Sequence, residues 1–435
     1  MTNSTNRGVQ LKVSGSCLGI AALCLLAGTP MAAGQGSRIT LLDTLPGNGN
    51  DCWGYVSASG REYALVGNRD RTKFVEITNP SNIVLVDEVL HNSSLWSDIK
   101  TLGDFAYVVT EAGSGIQVFD LSDIDNGNIT LVRTITSPSS SHNIAIDTDS
   151  GFMYMAGGAI FDLSDPANPV RVGSGPGWHD AQIVTYQSGL NAGREILFGS
   201  AGGNGLEIYD VSNKSNPVLL STTTYPMLEF LHQGWLSDDR NYFYANDEFD
   251  ESRHGITTRT LIFDVSDLSS PFLAGTHSTF RNSIDHNLYY KDGFLFEANY
   301  TSGLLVIDAC DPVNLVEAGW YDTFPANNGA SFDGAWSVYP FFPSGVCIIN
   351  NIGGDLFVVD PSQAVSTPCR TNCPCACDFD HGQFNVCDLF DFLEFQGGFV
   401  AGDRCSCNMD LSTGVDVCDL FDFLAFQNEF VGGCR

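Results

Sequence analysis

Basic residues are scarce in this chain: 20 Lys and Arg stand against 51 Asp and Glu among 435 residues, a formal net charge of −31. A field of that sign repels nucleic acid and anionic membrane and argues against both as partners, while it favours solubility and cation binding. Long apolar runs are lacking as well. The one over residues 17–28 is too short to span a bilayer and nothing later is longer, so no transmembrane helix is expected. Two signatures of common catalytic sites are missing: the sequence has no Gly-x-Ser-x-Gly elbow and no phosphate-binding glycine loop. No catalytic set is legible, and the expectation leans toward a non-enzymatic protein.

Apolar and aromatic residues are plentiful. They make up 43% and 11% of the chain, with 29 Phe, enough for a large core. At the N-terminus, Arg7 and Lys12 precede the short apolar run, and Met31-Ala32-Ala33 stands before Gly34. That order predicts a signal peptide over residues 1–33, cleaved near Ala33, and hence an exported protein, extracellular or at the cell surface. Leu23 before Cys24 is too bulky for lipoprotein processing. Of 14 cysteines, Cys17 and Cys24 fall in the signal, Cys52, Cys310 and Cys347 in the body, and nine after residue 368, as in a disulfide-stapled tail in an oxidising compartment.

The body is organised by one phrase, FDLSDPANPV (161–170). Variants return as FVEITNPSN (74–82), VFDLSD (118–123), IYDVSNKSNP (208–217), IFDVSDLSSP (262–271), VIDACDP (306–312) and VVDPSQ (358–363). Each reads as the end of one strand, a turn set by Asp, Asn and Pro, and the start of another. The position of Asp162 is held in turn by Thr78, Asp120, Asp162, Asp210, Asp264, Asp308 and Asp360, at steps of 42, 42, 48, 54, 44 and 52 residues. That period suits a four-stranded propeller blade. A short strand follows every copy except the seventh, and RITLLDTL (38–45) supplies the missing one from the start of the mature chain. The fold class is therefore all-β, a seven-bladed β-propeller over residues 37–365 with an N-terminal strand closing the last blade and removing the exposed sheet edges.

With the repeat as a ruler, the strand opening each blade aligns WGY at 53, SDI at 97, HNI at 142, HDA at 179, HQG at 232, HNL at 286 and WSV at 336. Four successive blades place His142, His179, His232 and His286 at one position, followed by polar residues that include Asp98 and Asp180. First strands line a propeller's channel, so these side chains should converge. Imidazoles beside carboxylates suit zinc or another transition metal; they also suit a hydrogen-bonded ring that stabilises the channel mouth. A metal-dependent hydrolase or lyase is the alternative function. The acidic run 246–251, with Asp247 and Glu248, reads either as a hard-cation site or as a solvated loop. Trp53, Trp178, Trp235 and Trp336 near the same rim can stack a carbohydrate or peptide ligand, or pack between blades.

The phrase, together with HQGWLSDDRNYFYANDE (232–248), IDHNLYYKDG (284–293), ANYTSGLLVID (298–308) and GAWSVYPFFPSG (334–345), resembles the LVIVD-repeat proteins of the choice-of-anchor B family. The resemblance spans the expected propeller and implies a secreted or surface-displayed protein with a C-terminal attachment device. It brings no activity with it.

After a linker over residues 366–374 the tail, 375–435, is duplicated: CACDFDHGQFNVCDLFDFLEFQ is echoed by CSCNMDLSTGVDVCDLFDFLAFQ. Each unit is a polar loop followed by apolar residues at helical spacing. The second loop sets Asn408, Asp410, Ser412, Gly414, Asp416 and Asp419 at calcium-ligand places of a twelve-residue hand, with Asp in the final place; the first, with Asp378, Asp380, Asn385 and Asp388, is one residue short. The pattern resembles a dockerin of the type ending in Gly-Cys, here Gly433-Cys434. That resemblance implies a small α-helical module, calcium as cofactor, and a cohesin-like protein or surface partner, with a polysaccharide-degrading assembly as a further alternative. Cysteines at matched places, Cys377 with Cys407 and Cys387 with Cys418, depart from it.

Overall fold

The computed structural model describes residues 36–366. The expected signal segment, the linker apart from Ser366, and the dockerin-like module with its calcium ligands lie outside the described residues. The described strands form seven antiparallel sheets. Their first strands are Gly49–Val56, Ser97–Leu102, Ile144–Asp147, Asp180–Thr185, Leu231–Leu236, Asn287–Lys291 and Gly334–Tyr339, which open blades 1 to 7. Each first strand touches the first strand of the next blade, and Gly334–Tyr339 returns to Gly49–Val56, closing the ring around a channel.

The repeated aspartate holds the turn between the third and fourth strands. In six blades, Asp120, Asp162, Asp210, Asp264, Asp308 and Asp360 each accept the backbone N–H two residues ahead at 2.7–3.0 Å. Such a bond fixes a tight turn without a ligand. In blade 1 the aspartate's place is held by Glu76, which ends the third strand and pairs with Arg61, and not by Thr78. Thr78, two residues on, matches Ser212 of blade 4, and these hydroxyls accept the N–H groups of Glu62 and Glu195. The register then slips between third and fourth strands in every blade, at 74/75, 131/133, 160/161, 208/209, 262/263, 306/307 and 41/43. A bulge repeated in one place adds local twist to every outer edge.

The core lies between blades. Val109, Ile116 and Val118 of blade 2 meet Met153, Phe161 and Leu163 of blade 3, all buried. Each such side chain contributes about 1.5–3 kcal/mol by leaving water. Closure follows the expected plan with one addition. Thr40–Leu45 pairs with Leu356–Asp360 as the outer strand of blade 7. Upstream, Gly36–Ser37 adds a fifth strand to blade 6 by pairing with Tyr321 and Trp320. Arg38, in the left-handed region at φ 60°, makes the step between the two blades, and its guanidinium donates to the carbonyl of Gln363 at 2.5 Å.

Candidate functional site

The four histidines do converge. Their rings follow one another in a row at the mouth where the first strands begin, tilted by 36–52°, with centroids 4.4 Å apart from His142 to His179, 4.2 Å from His179 to His232 and 4.0 Å from His232 to His286. One bond repeats along the row. His179 Nδ1–H donates to the carbonyl of His232 at 3.1 Å, His232 Nδ1–H to that of His286 at 3.1 Å, and His286 Nδ1–H to that of Trp336 at 2.6 Å. A carbonyl only accepts, so each of these rings carries its proton on Nδ1 and keeps the Nε2 lone pair free. His142 differs: its Nδ1 meets the Glu111 carboxylate at 2.7 Å. Burial keeps His179 and His286 neutral, lowered to about 3, and holds His232 well below the usual range.

Opposite these lone pairs stands Glu248. Its carboxylate lies 3.8 Å from His232 Nε2 and 3.5 Å from His286 Nε2, and it accepts a 2.8 Å bond from the Tyr300 hydroxyl. His286 Nε2 is buried without any hydrogen-bond partner. Burial raises Glu248 to about 7. Ligand atoms of His232, Glu248 and His286 all fall within 4.8 Å of one another, a group that can hold a metal ion. Two metal–ligand bonds of about 2.0 Å hold their ligand atoms about 3.3 Å apart at a tetrahedral angle, so the 3.5 and 3.8 Å separations of Glu248 from the two imidazoles must close by a few tenths of an ångström on binding. Two imidazoles with one carboxylate suit zinc or iron(II). The Nδ1–H bonds to carbonyls and the tyrosine bond to the carboxylate are the outer contacts that orient such ligands. Phe230, 5.0 Å from His179, continues through Phe249 and Phe332 to Tyr300 as an aromatic roof that limits water.

Glu248 arrives by a route the sequence pattern hides. Residues 246–251 are neither a solvated loop nor one cation site. Asp247 ends the strand Tyr242–Asp247, buried, and its carboxylate accepts bonds from Tyr225 Oη and from the N–H groups of Glu229, Phe230 and Phe249. It is spent on holding the turn. A short helix, Asp250–His254, then buries Asp250 against Arg259 and Glu251 beneath Asp285. Between these anchors Glu248 projects at the histidines.

The other candidates form a layer deeper in the channel. Asp98 accepts the N–H of Ile144 at 2.7 Å and binds Lys100, which lies 3.7 Å from Asp51 and 4.5 Å over the Trp53 ring. Asp180 joins this layer, raised to about 7 by burial. Asp98 and Asp180 line the same channel cavity as His232 and His286 but do not belong to the group that these form with Glu248. The alignment of blade 1 needs correction. A bulge between Gly49 and Cys52 carries Asn50 and Asp51 into the row: Ser97 Oγ donates to Asn50 Oδ1 at 2.7 Å, and Asp51 lines the channel with Asp98 and Asp180. Trp53 and Gly54 lie beyond it. Nor do the tryptophans share a rim. Trp336 packs on His286, Trp178 is core between blades 3 and 4, and Trp53 and Trp235 belong to the opposite end.

Seven four-stranded repeats closed around a side-chain-lined channel define the class as a seven-bladed β-propeller. Within that class this chain carries LVIVD repeats, matched at residues 201–224, 260–279 and 287–323, across blades 4 to 6. No curated protein matches the chain.

Proposed function

We propose that the chain is an exported, non-enzymatic propeller that holds a divalent transition ion at its histidine mouth, binds a partner there, and is attached through its C-terminal module. The observation that carries the metal is the pair of Nε2 lone pairs on His232 and His286, both facing the Glu248 carboxylate. The reading as a binding module rests on the same residue: Glu248, the carboxylate placed to act as a general base, is itself the third ligand. His179, the nearest further imidazole, is held at about 3 and is a poor proton acceptor at neutral pH. Export and attachment rest on the signal pattern and on the dockerin resemblance, which supplies calcium and a cohesin-like partner for the tail.

Metal analysis of purified protein, with binding titrations of zinc into metal-stripped samples, tests the central part. One ion per chain is expected, lost in His232→Ala; no stoichiometric metal contradicts it. Turnover abolished by removing that ion would favour the hydrolase or lyase reading instead. Deleting residues 369–435 and fractionating cells tests attachment, and unchanged surface retention contradicts it. Pull-down with the isolated tail, with and without chelator, separates calcium-dependent partner binding from a tail held by disulfides alone.

A further inference from the structure

At the end of the channel away from the histidines, a cavity of about 250 Å³ opens beyond Lys100, Asp180 and Tyr289, which line both ends. It is smaller than the ~300–1,000 Å³ of sites for drug-sized ligands, so it suits one small ring. Tyr289 stands on its wall with an indole edge-on at each side, Trp53 at 5.8 Å and Trp235 at 4.9 Å. Aromatic faces of this kind offer flat apolar area without losing rotamer freedom.

The polar groups divide into spent and unspent. Around the rim, Arg240 donates to the carbonyl of Thr185 and stacks on Tyr186, Asp147 accepts from Thr185 Oγ1, and Asp149 accepts from Gln187. Two glutamines are half spent. Gln182 Oε1 accepts the N–H of Leu236 and Gln233 Oε1 that of Leu288, each at 2.8 Å. These bonds to neighbouring blades fix both amides and leave their N–H groups without a protein partner. An anionic ligand has no counterpart here. Both cations of the cavity are committed, Lys100 to Asp98 and Asp51 and Arg240 to the Thr185 carbonyl and the Tyr186 ring, while Asp147, Asp149 and Asp180 line the wall, so an anion would face three carboxyl groups and no uncommitted cation.

We propose that this cavity binds a neutral, hydroxyl-rich ring, the pyranose end of a carbohydrate, stacked against Trp235 and Trp53 and hydrogen-bonded by the amides of Gln182 and Gln233. The site is independent of the metal at the other mouth. Titration of the full-length protein with methyl β-D-glucopyranoside, methyl β-D-galactopyranoside and methyl β-D-xylopyranoside, followed by calorimetry and tryptophan fluorescence, tests it. Saturable millimolar binding of at least one is expected, undiminished in metal-stripped protein. Gln182→Glu keeps the acceptor for Leu236 and removes the donors, and should weaken binding roughly tenfold. In the unaltered protein, the Trp235 indole N–H resonance should shift on saturation, a readout that survives if the variant fails to fold. No saturable binding by any of the three sugars, no indole shift, or equally tight binding of methyl β-D-glucuronide, the charged control, overturns the proposal.

Discussion

His286 donates its Nδ1 proton to the carbonyl of Trp336 at 2.6 Å, which leaves its unpartnered Nε2 3.5 Å from Glu248. Blade-to-blade hydrogen bonding thus does two things at once: it ties blade 6 to blade 7 and fixes the tautomer that a metal requires.

Tyr300 orients the third ligand through its 2.8 Å bond to Glu248. Tyr300→Phe keeps the ring packed on His286 and removes only that bond. Zinc affinity, measured by competition with a chromogenic chelator, should fall about 10–100-fold, as for other outer-shell partners, with the circular dichroism spectrum unchanged.

Lys100 sits among Asp98, Asp51 and Asp180 with its ammonium mostly shielded from water. Removing one partner of a buried ionic group leaves the others uncompensated. Lys100→Ala should therefore lower unfolding free energy by about 3–5 kcal/mol in urea titrations.

Stability should depend on pH through the buried acids. Burial, and then the charge of Asp250, hold Glu251 up at about 9, and burial holds Asp180 at about 7. Their folded forms retain protons that the unfolded chain releases near pH ~4, so this contribution is complete below that value and is lost as pH rises through 7 and 9. The histidines act in the other direction. His179 and His286, at about 3, stay neutral when folded, whereas the unfolded chain protonates below pH ~6.5. Above neutrality only the acids count. The urea midpoint of metal-free protein should fall between pH ~7 and ~9, and Glu251→Gln should flatten that decline.

The closing strand makes a further prediction. Without Thr40–Leu45, the strand Leu356–Asp360 becomes an open edge. Deleting residues 36–45 should shift the protein to higher-order species in size-exclusion chromatography, since an unpaired edge templates pairing with other chains.

Much of this architecture is written in the sequence because it is periodic. The aspartate phrase counts the blades, and its turn-holding role is local chemistry that six of the seven copies repeat. The closing strand is visible as the unit missing after Asp360. The histidine row is legible over blades 3 to 6, where spacing is regular, and the alignment fails in blade 1, where the bulge after Gly49 moves Asn50 and Asp51 into the place assigned to Trp53 and Gly54. Glu111 of blade 2 is the counterpart of Glu248, each six residues beyond the residue that pairs with its blade's turn aspartate; Glu111 meets only His142 Nδ1, whereas Glu248 faces two imidazole Nε2 atoms. Its position depends on Asp247 and Asp250 being buried against Tyr225 and Arg259, residues that meet only in the folded blade. An acidic run reads as solvated until those partners are known.

The central claim is that His232, His286 and Glu248 bind one transition ion together. X-ray absorption at the zinc edge, on protein loaded with one equivalent, tests it most directly. The account predicts a first shell of nitrogen and oxygen near ~2.0 Å with outer-shell scattering from two imidazoles, falling to one in His286→Ala. A spectrum without imidazole scattering, or one unchanged by that substitution, would contradict it.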